Sequence, residues 1–92
     1  MVAETPYVEV DVAALDRNVE EVAAAAAANG VALRPHVKTH KCATIARRQV
    51  AGGAVGLTCA KLSEAEVLAG HGFDDLFVCY PLVGVERLRR LR

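Results

Sequence analysis

Apolar and polar positions change period several times along the chain, and each change marks an element. Tyr7-Val8-Glu9-Val10 alternates after Pro6 and predicts a short strand. Asp11 then stands where a helix N-cap is needed. From Val12 onward, Leu15, Val19, Val22 and Ala26 recur at three- and four-residue spacing, which predicts a helix that Asn29-Gly30 can end in a left-handed cap. Val31 to Val37 is short and partly β-branched and predicts a second strand, although Pro35 removes one ladder donor. Ala43 to Val50 returns to helical spacing, with Ile45, Ala46 and Val50 apolar, Arg47 and Arg48 exposed, and Gly52-Gly53 as the stop. Ala54 to Ala60 predicts a buried strand. Ser63-Glu64-Ala65-Glu66 fits a capping box with Ser63 as the cap, and Gly70 or Gly72 ends that helix. Leu76 to Tyr80 predicts the next strand, stopped by Pro81, and Val85 to Arg92 a further helix.

Strands alternating with helices over short connections require parallel pairing and right-handed crossovers. A doubly wound sheet and a βα barrel both satisfy this rhythm. No Gly-x-Gly-x-x-Gly and no phosphate-binding Gly-x-x-x-x-Gly-Lys follows any strand, and Gly52-Gly53 precedes one, so the sequence does not support a nucleotide site. A closed barrel of eight units takes ~250 residues, so 92 residues can form only its first part. A composition 53% hydrophobic and 4% aromatic, without Trp, suits Ala-rich helices on aliphatic strands. Eleven basic side chains against eleven acidic ones leave no field that would draw nucleic acid or an anionic membrane, so a small molecule is the expected partner. Cys42, Cys59 and Cys79 are odd in number and lie in or beside apolar runs. Reduced thiols and a cytoplasmic location are therefore expected, and neither the first ten residues nor Ala23 to Ala28 reads as a leader or a membrane span.

Candidate chemistry concentrates in Arg34-Pro35-His36-Val37-Lys38-Thr39-His40-Lys41. On a strand, Ala32, Arg34, His36 and Lys38 share one face, while Val31, Leu33, Pro35 and Val37 share the other. One face is apolar and the other cationic. In a barrel the apolar face packs on helices, which places Lys38 at the carboxyl end of the interior, where barrel active sites form. With His36, Arg34 and Lys41 nearby, Lys38 is expected to lose proton affinity and offer the free amine that imine chemistry needs. His36, His40 and Cys42 are possible metal ligands by type, but a strand-to-loop segment lacks a fixed ligand geometry, so no metal site is assigned to them. His36 reads instead as a hydrogen-bonded interior residue and His40 as a wall residue. Thr58 and Tyr80, near strand ends, can line the pocket, whereas Cys59 and Cys79 read as small core residues. His71 reads as a surface residue at a helix end. The basic run Glu86 to Arg92 reads as a solvated helix face with a Glu86 and Arg90 pair rather than a nucleic-acid contact.

The eight-residue run around Lys38 resembles the cofactor-lysine motif of the D-threonine aldolase and D-serine dehydratase family, pyridoxal-phosphate enzymes of fold type III with an alanine-racemase-like barrel. The resemblance continues through Thr5 to Asp11, Gly56 to Glu66, Gly72 to Leu76 and Tyr80-Pro81. It implies an α/β fold, the N-terminal part of a (β/α)8 TIM-type barrel with parallel strands. Residues 1–11 would give a strand to a C-terminal β-domain outside this sequence, and residues 12–92 would begin the cofactor-binding barrel. The resemblance also implies pyridoxal phosphate attached covalently to Lys38, with His36 and Thr58 as cofactor-binding neighbours. Manganese or zinc ligands and most phosphate contacts would lie beyond Arg92. The implied activity is that of a lyase on β-hydroxy D-amino acids, with D-threonine aldolase favoured by the Lys41-Cys42 continuation. D-serine dehydratase and a non-catalytic pyridoxal-phosphate carrier stay open. A homodimer is expected of the full-length protein, and an inactive, self-associating chain of the 92 residues alone.

Overall fold

In the computed structural model, which describes residues 4–92, six elements follow in chain order. They are α1 (Val12–Ala28), α2 (Ala43–Ala51), β1 (Leu57–Cys59), α3 (Leu62–Gly70), β2 (Leu76–Val78) and α4 (Val85–Arg90). The three longer helices end in the same way. The N–H two residues past the C-cap returns to the carbonyl two residues before the helix's last, as Val31 to Ala26 at 3.0 Å, Ala54 to Gln49 at 3.1 Å and Phe73 to Leu68 at 3.2 Å. A glycine at positive φ makes each reversal possible: Gly30 at 67°, Gly53 at 120° and Gly72 at 94°. The chain therefore leaves each helix abruptly and turns back toward the sheet.

At the other end of α1, Asp11 Oδ1 accepts the Ala14 N–H at 3.2 Å, as an N-cap should. Val22, expected in the buried stripe, is 52% exposed, while Leu15, Val19, Ala23 and Ala26 are half-buried. The glycine end of α2 is the reason. Gly52 approaches Val19 and Gly53 approaches Ala23, so that flank of α1 is covered and Val22 is left open. The capping box moves as well. The third helix starts at Leu62 with Lys61 as N-cap, which puts Ser63 inside the first turn and Glu64, not Glu66, at the position whose carboxylate reaches back. Glu64 Oε1 accepts the Ala60 N–H at 2.9 Å. Glu66 pairs with Arg90 of α4, and Glu86 takes Arg89 rather than the expected Arg90.

β1 and β2 pair in parallel, with Leu57 opposite Leu76, Thr58 opposite Phe77 and Cys59 opposite Val78. The strand expected over Val31 to Val37 is irregular. It runs beside β1 in the same direction through Val55 N–H to Leu33, Thr58 N–H to Pro35 and Val37 N–H to Thr58, yet only His36 and Thr58 form a ladder bridge. Pro35 lacks the N–H that would continue that ladder, so the pairing breaks there. Tyr7 to Val10 is not a strand; residues 4–10 are exposed and none pairs with another described segment.

The core lies between the sheet and α2 with α3. Val37, Ala46, Leu57, Cys59, Ala65 and Leu68 are buried together, flanked by Ala43, Phe73, Leu76 and Val78. Leu57 and Cys59 point to this side because residues two apart on a strand share a face. His36, Thr58 and Phe77, of the opposite parity, face the side that none of the described helices covers.

Candidate functional site

The pairing register brings distant residues into rows across the uncovered face. His36 stands beside Thr58 through the bridge, and Thr58 stands beside Phe77 through the β1 and β2 pairing. Two residues nearer the amino ends, Arg34, Gly56 and Asp75 make a second row. Arg34 Nη2 lies 2.7 Å from Asp75 Oδ1, and its Nη1 donates to the Asp75 carbonyl at 3.2 Å and to the Leu57 carbonyl at 3.4 Å. The guanidinium fills the place of a side chain at Gly56, where an added Cβ would collide with Arg34 and with Asp75. Arg34 thus closes the floor of the face, its charge paired with Asp75 rather than turned toward Lys38 as expected.

Lys38 follows at the carboxyl end of the same face. Its backbone N–H donates to His36 Nδ1 at 3.1 Å. A neutral His36 ring must therefore carry its proton on Nε2. His40 repeats the arrangement two residues later: its Nδ1 accepts the Cys42 N–H at 3.0 Å and its Nε2 faces Gln49 Oε1 at 3.1 Å. Both imidazoles are hydrogen-bonded to the loop, His36 expected as a hydrogen-bonded interior residue and His40 as a wall residue. The loop closes where the Lys41 N–H meets the Val37 carbonyl at 2.8 Å, with Lys41 itself at φ 48°. Of Arg34, Lys38 and Lys41, only Lys38 has no ion pair among the described residues; Lys41 Nζ lies 3.8 Å from Glu64 Oε2.

Thr58 is half-buried, and its hydroxyl donates to the Arg34 carbonyl at 3.1 Å, so toward a ligand it can offer only oxygen lone pairs. Tyr80 is 67% exposed near the end of β2. Cys79 corrects the expectation of a core residue: it is exposed, because it follows Phe77 by two and shares its face. Cys59 is buried on the other face, where burial first, and the Glu64 carboxylate second, push its thiol above the usual value. His71 caps α3 at the surface and accepts from Arg47 Nη2 at 2.7 Å through its carbonyl. No group of three or more His, Cys, Asp or Glu among the described residues could hold a metal ion. None of the helices described is long and apolar enough to cross a membrane.

Two residues of this region escaped the reading by pattern. Phe77 supplies an aromatic ring to the row of His36 and Thr58, and its signal was the parity it shares with Cys79 rather than any motif. Glu64 lies inside the cap that the Ser63 pattern predicts, although its own spacing from Ala60 is the one that matters.

Pyridoxal phosphate, the cofactor implied by the resemblance, fits the donor set at this end of the face. A primary amine without an ion pair among the described residues can form an imine, the Nε2–H of His36 can donate, and Phe77 offers an aromatic surface beside them. The family model for the alanine racemase N-terminal domain matches residues 10–91, spanning every row just described. The chain belongs to the alanine racemase N-terminal domain family. Within it, the chain is 41% identical over 88 residues to a D-threonine aldolase from Arthrobacter sp., covering 96% of this chain and 23% of that relative. It is 37% identical over 92 residues to a 3-hydroxy-D-aspartate aldolase from Paracoccus denitrificans, covering 96% of this chain and 24% of the relative. Among solved structures, the D-threonine aldolase from Filomicrobium marinum superposes with a TM-score of 0.92 at 43% identity, over 96% of this chain and 24% of that one. This alanine racemase N-terminal domain sequence thus spans about a quarter of the length of the relatives it matches.

Proposed function

We propose that these residues form the cofactor-lysine portion of a pyridoxal-phosphate lyase acting on β-hydroxy D-amino acids, with D-threonine aldolase as the activity of the whole enzyme. The observation that carries this reading is Lys38, an amine without an ion-pair partner among the described residues, at the carboxyl end of a strand-like segment. On this reading the two described strands and the Val31 to Val37 segment are the opening of a βα barrel, whose active sites gather at that end. Pyridoxal phosphate supplies an electron-withdrawing ring that stabilises charge left at Cα when a bond there breaks. Lys38 Nζ would hold the cofactor covalently, and the same amine, when free, would be placed to accept a proton there. His36 keeps the Lys38 backbone fixed through Nδ1 and points its Nε2–H at the face, while Thr58 contributes an acceptor. Manganese or zinc would be held by residues outside this sequence. A solved D-threo-3-hydroxyaspartate dehydratase variant in a metal-free form supports metal binding in such relatives.

Dehydration is the second reading, favoured by 40% identity over 73 residues to a D-threo-3-hydroxyaspartate dehydratase from Delftia sp.. The full-length protein, supplied with cofactor and metal, separates the two. An aldolase releases glycine and acetaldehyde from D-threonine, and glycine and glyoxylate from D-threo-3-hydroxyaspartate. A dehydratase converts the latter to oxaloacetate and ammonia. Faster turnover of the L-enantiomers, or no turnover despite bound cofactor, would overturn the lyase reading, the latter in favour of a non-catalytic carrier.

A further inference from the structure

One buried polar atom is left without a hydrogen bond among the described residues: Glu64 Oε2. The Glu64 side chain is only 11% exposed, and its other oxygen accepts the Ala60 N–H at 2.9 Å. Oε2 lies 3.8 Å from Lys41 Nζ. These two partners belong to different strand ends. Ala60 follows Thr58 by two residues at the end of β1, and Lys41 closes the loop that Lys38 opens, its N–H on the Val37 carbonyl at 2.8 Å. Lys41 holds φ 48°, a conformation sparse for a residue with a Cβ, which persists only where the surroundings over-determine it. A carboxylate this enclosed is costly unless donors and cations face it, and the Ala60 N–H and the Lys41 ammonium are what the structure sets against it.

We infer that Glu64 is a positioning residue for Lys38. One carboxylate fastens the carboxyl ends of two neighbouring parallel segments, those carrying Thr58 and Lys38, and thereby fixes where the Lys38 amine stands over the face. The inference rests on the reading of Lys38 as the cofactor lysine. It assigns Lys41 a task distinct from cofactor attachment: its ammonium holds the loop while that of Lys38 stays free.

The test uses the full-length protein with Glu64→Gln, Lys41→Met, the double variant and Lys41→Arg. Glu64→Gln keeps an acceptor for Ala60 but removes the charge, and Lys41→Met keeps the stem but removes the ammonium. Each single variant should speed hydrogen exchange at the Lys41 amide about fivefold, the scale of losing one partly exposed ion pair, with the Ala60 amide still protected. The double variant should add nothing further, and Lys41→Arg should restore the native rate. With cofactor bound, both single variants should shift the pH midpoint of the Lys38-linked visible band in the same direction. Native exchange and a native midpoint in Glu64→Gln would overturn the inference. So would fully additive effects in the double variant. Should Glu64→Gln fail to fold, Lys41→Met, altered at a side chain 59% exposed, decides the matter by the same two measurements. Exchange is read without cofactor, so a native protein that forms no Lys38 adduct refutes the cofactor reading separately.

Discussion

Lys38 and Lys41 lie three residues apart in one loop, yet one ammonium faces Glu64 and the other has no ion pair among the described residues. That difference sets the first expectation. Borohydride reduction of the cofactor-loaded, full-length enzyme should label a peptide at Lys38, and labelling at Lys41 or Lys61 would overturn the assignment. Lys38→Ala should remove the visible band and lower kcat on the order of 10²–10⁴-fold, the range for deleting a group that moves protons in the transition state. Lys38→Arg should not restore it, because a guanidinium stays protonated and forms no imine. A second expectation concerns Gly56, whose missing side chain is replaced by the Arg34 guanidinium. Gly56→Ala should push Arg34 off Asp75 and lower stability by about 1–3 kcal/mol, read as a lower denaturant midpoint at unchanged slope. At this scale the legible part was the local one. Lys38, His36 and Thr58 stand in a contiguous motif or at a strand end, whereas the Arg34 partner, Asp75, is 41 residues away and is chosen by strand register alone. No local signal could name it, so the sequence shows Arg34 as a cationic neighbour of Lys38 without the carboxylate that pairs it.

The helices were more legible than the strands, for a physical reason. A helix carries its hydrogen bonds and its stop signals within itself, so Asp11, Asn29-Gly30, Gly52-Gly53 and Gly72 could be read directly. A strand is completed by its neighbours. Leu76 to Tyr80 shortens to Leu76–Val78, Ala54 to Ala60 shortens to Leu57–Cys59, and Val31 to Val37 keeps a single bridge beside Pro35. The third helix shows the limit of cap reading: Lys61 carries no capping side chain, so Ser63 looked like the start although the helix begins before it. The glycines give a test at this scale. Gly30→Ala and Gly72→Ala meet open space but force a Cβ into the left-handed region, and each should cost about 1–2 kcal/mol. Gly70, also in open space but inside α3 at ordinary φ, should respond in the opposite sense. Gly70→Ala should stabilise by roughly 0.5–1 kcal/mol through the entropy of the unfolded chain. Thermal midpoints of the three variants, compared at one pH, check both signs.

The molecule as a whole exposes more surface than its mass requires. Its accessible area is 6850 Å², against ~5,200 Å² for a folded monomer of 9.8 kDa. The radius of gyration is 15.1 Å, where ~12 Å is usual for this length. Part of the excess is the uncovered side of the sheet, where Phe77 is 53% exposed; Tyr80, 67% exposed, lies instead beside residues of α3 and α4. Val83, Val85, Leu88 and Leu91 add apolar surface around α4. In the relatives, which are about four times as long, three-quarters of the chain remains to cover such a face. Exposed apolar side chains in this number, beside a short sheet with little pairing at its edges, favour association between copies over a stable monomer. The 92-residue chain expressed alone should therefore oligomerise, aggregate or unfold over a broad transition, and it should bind pyridoxal phosphate weakly. Size-exclusion chromatography with light scattering, followed by thermal unfolding with and without cofactor, measures each of these. A monodisperse monomer with a sharp transition, raised markedly by the cofactor, would mean that the exposed face is tolerated in solution and that these residues make a self-contained domain. The barrel reading would then lose its physical basis, because the face needing cover would have proved not to need it.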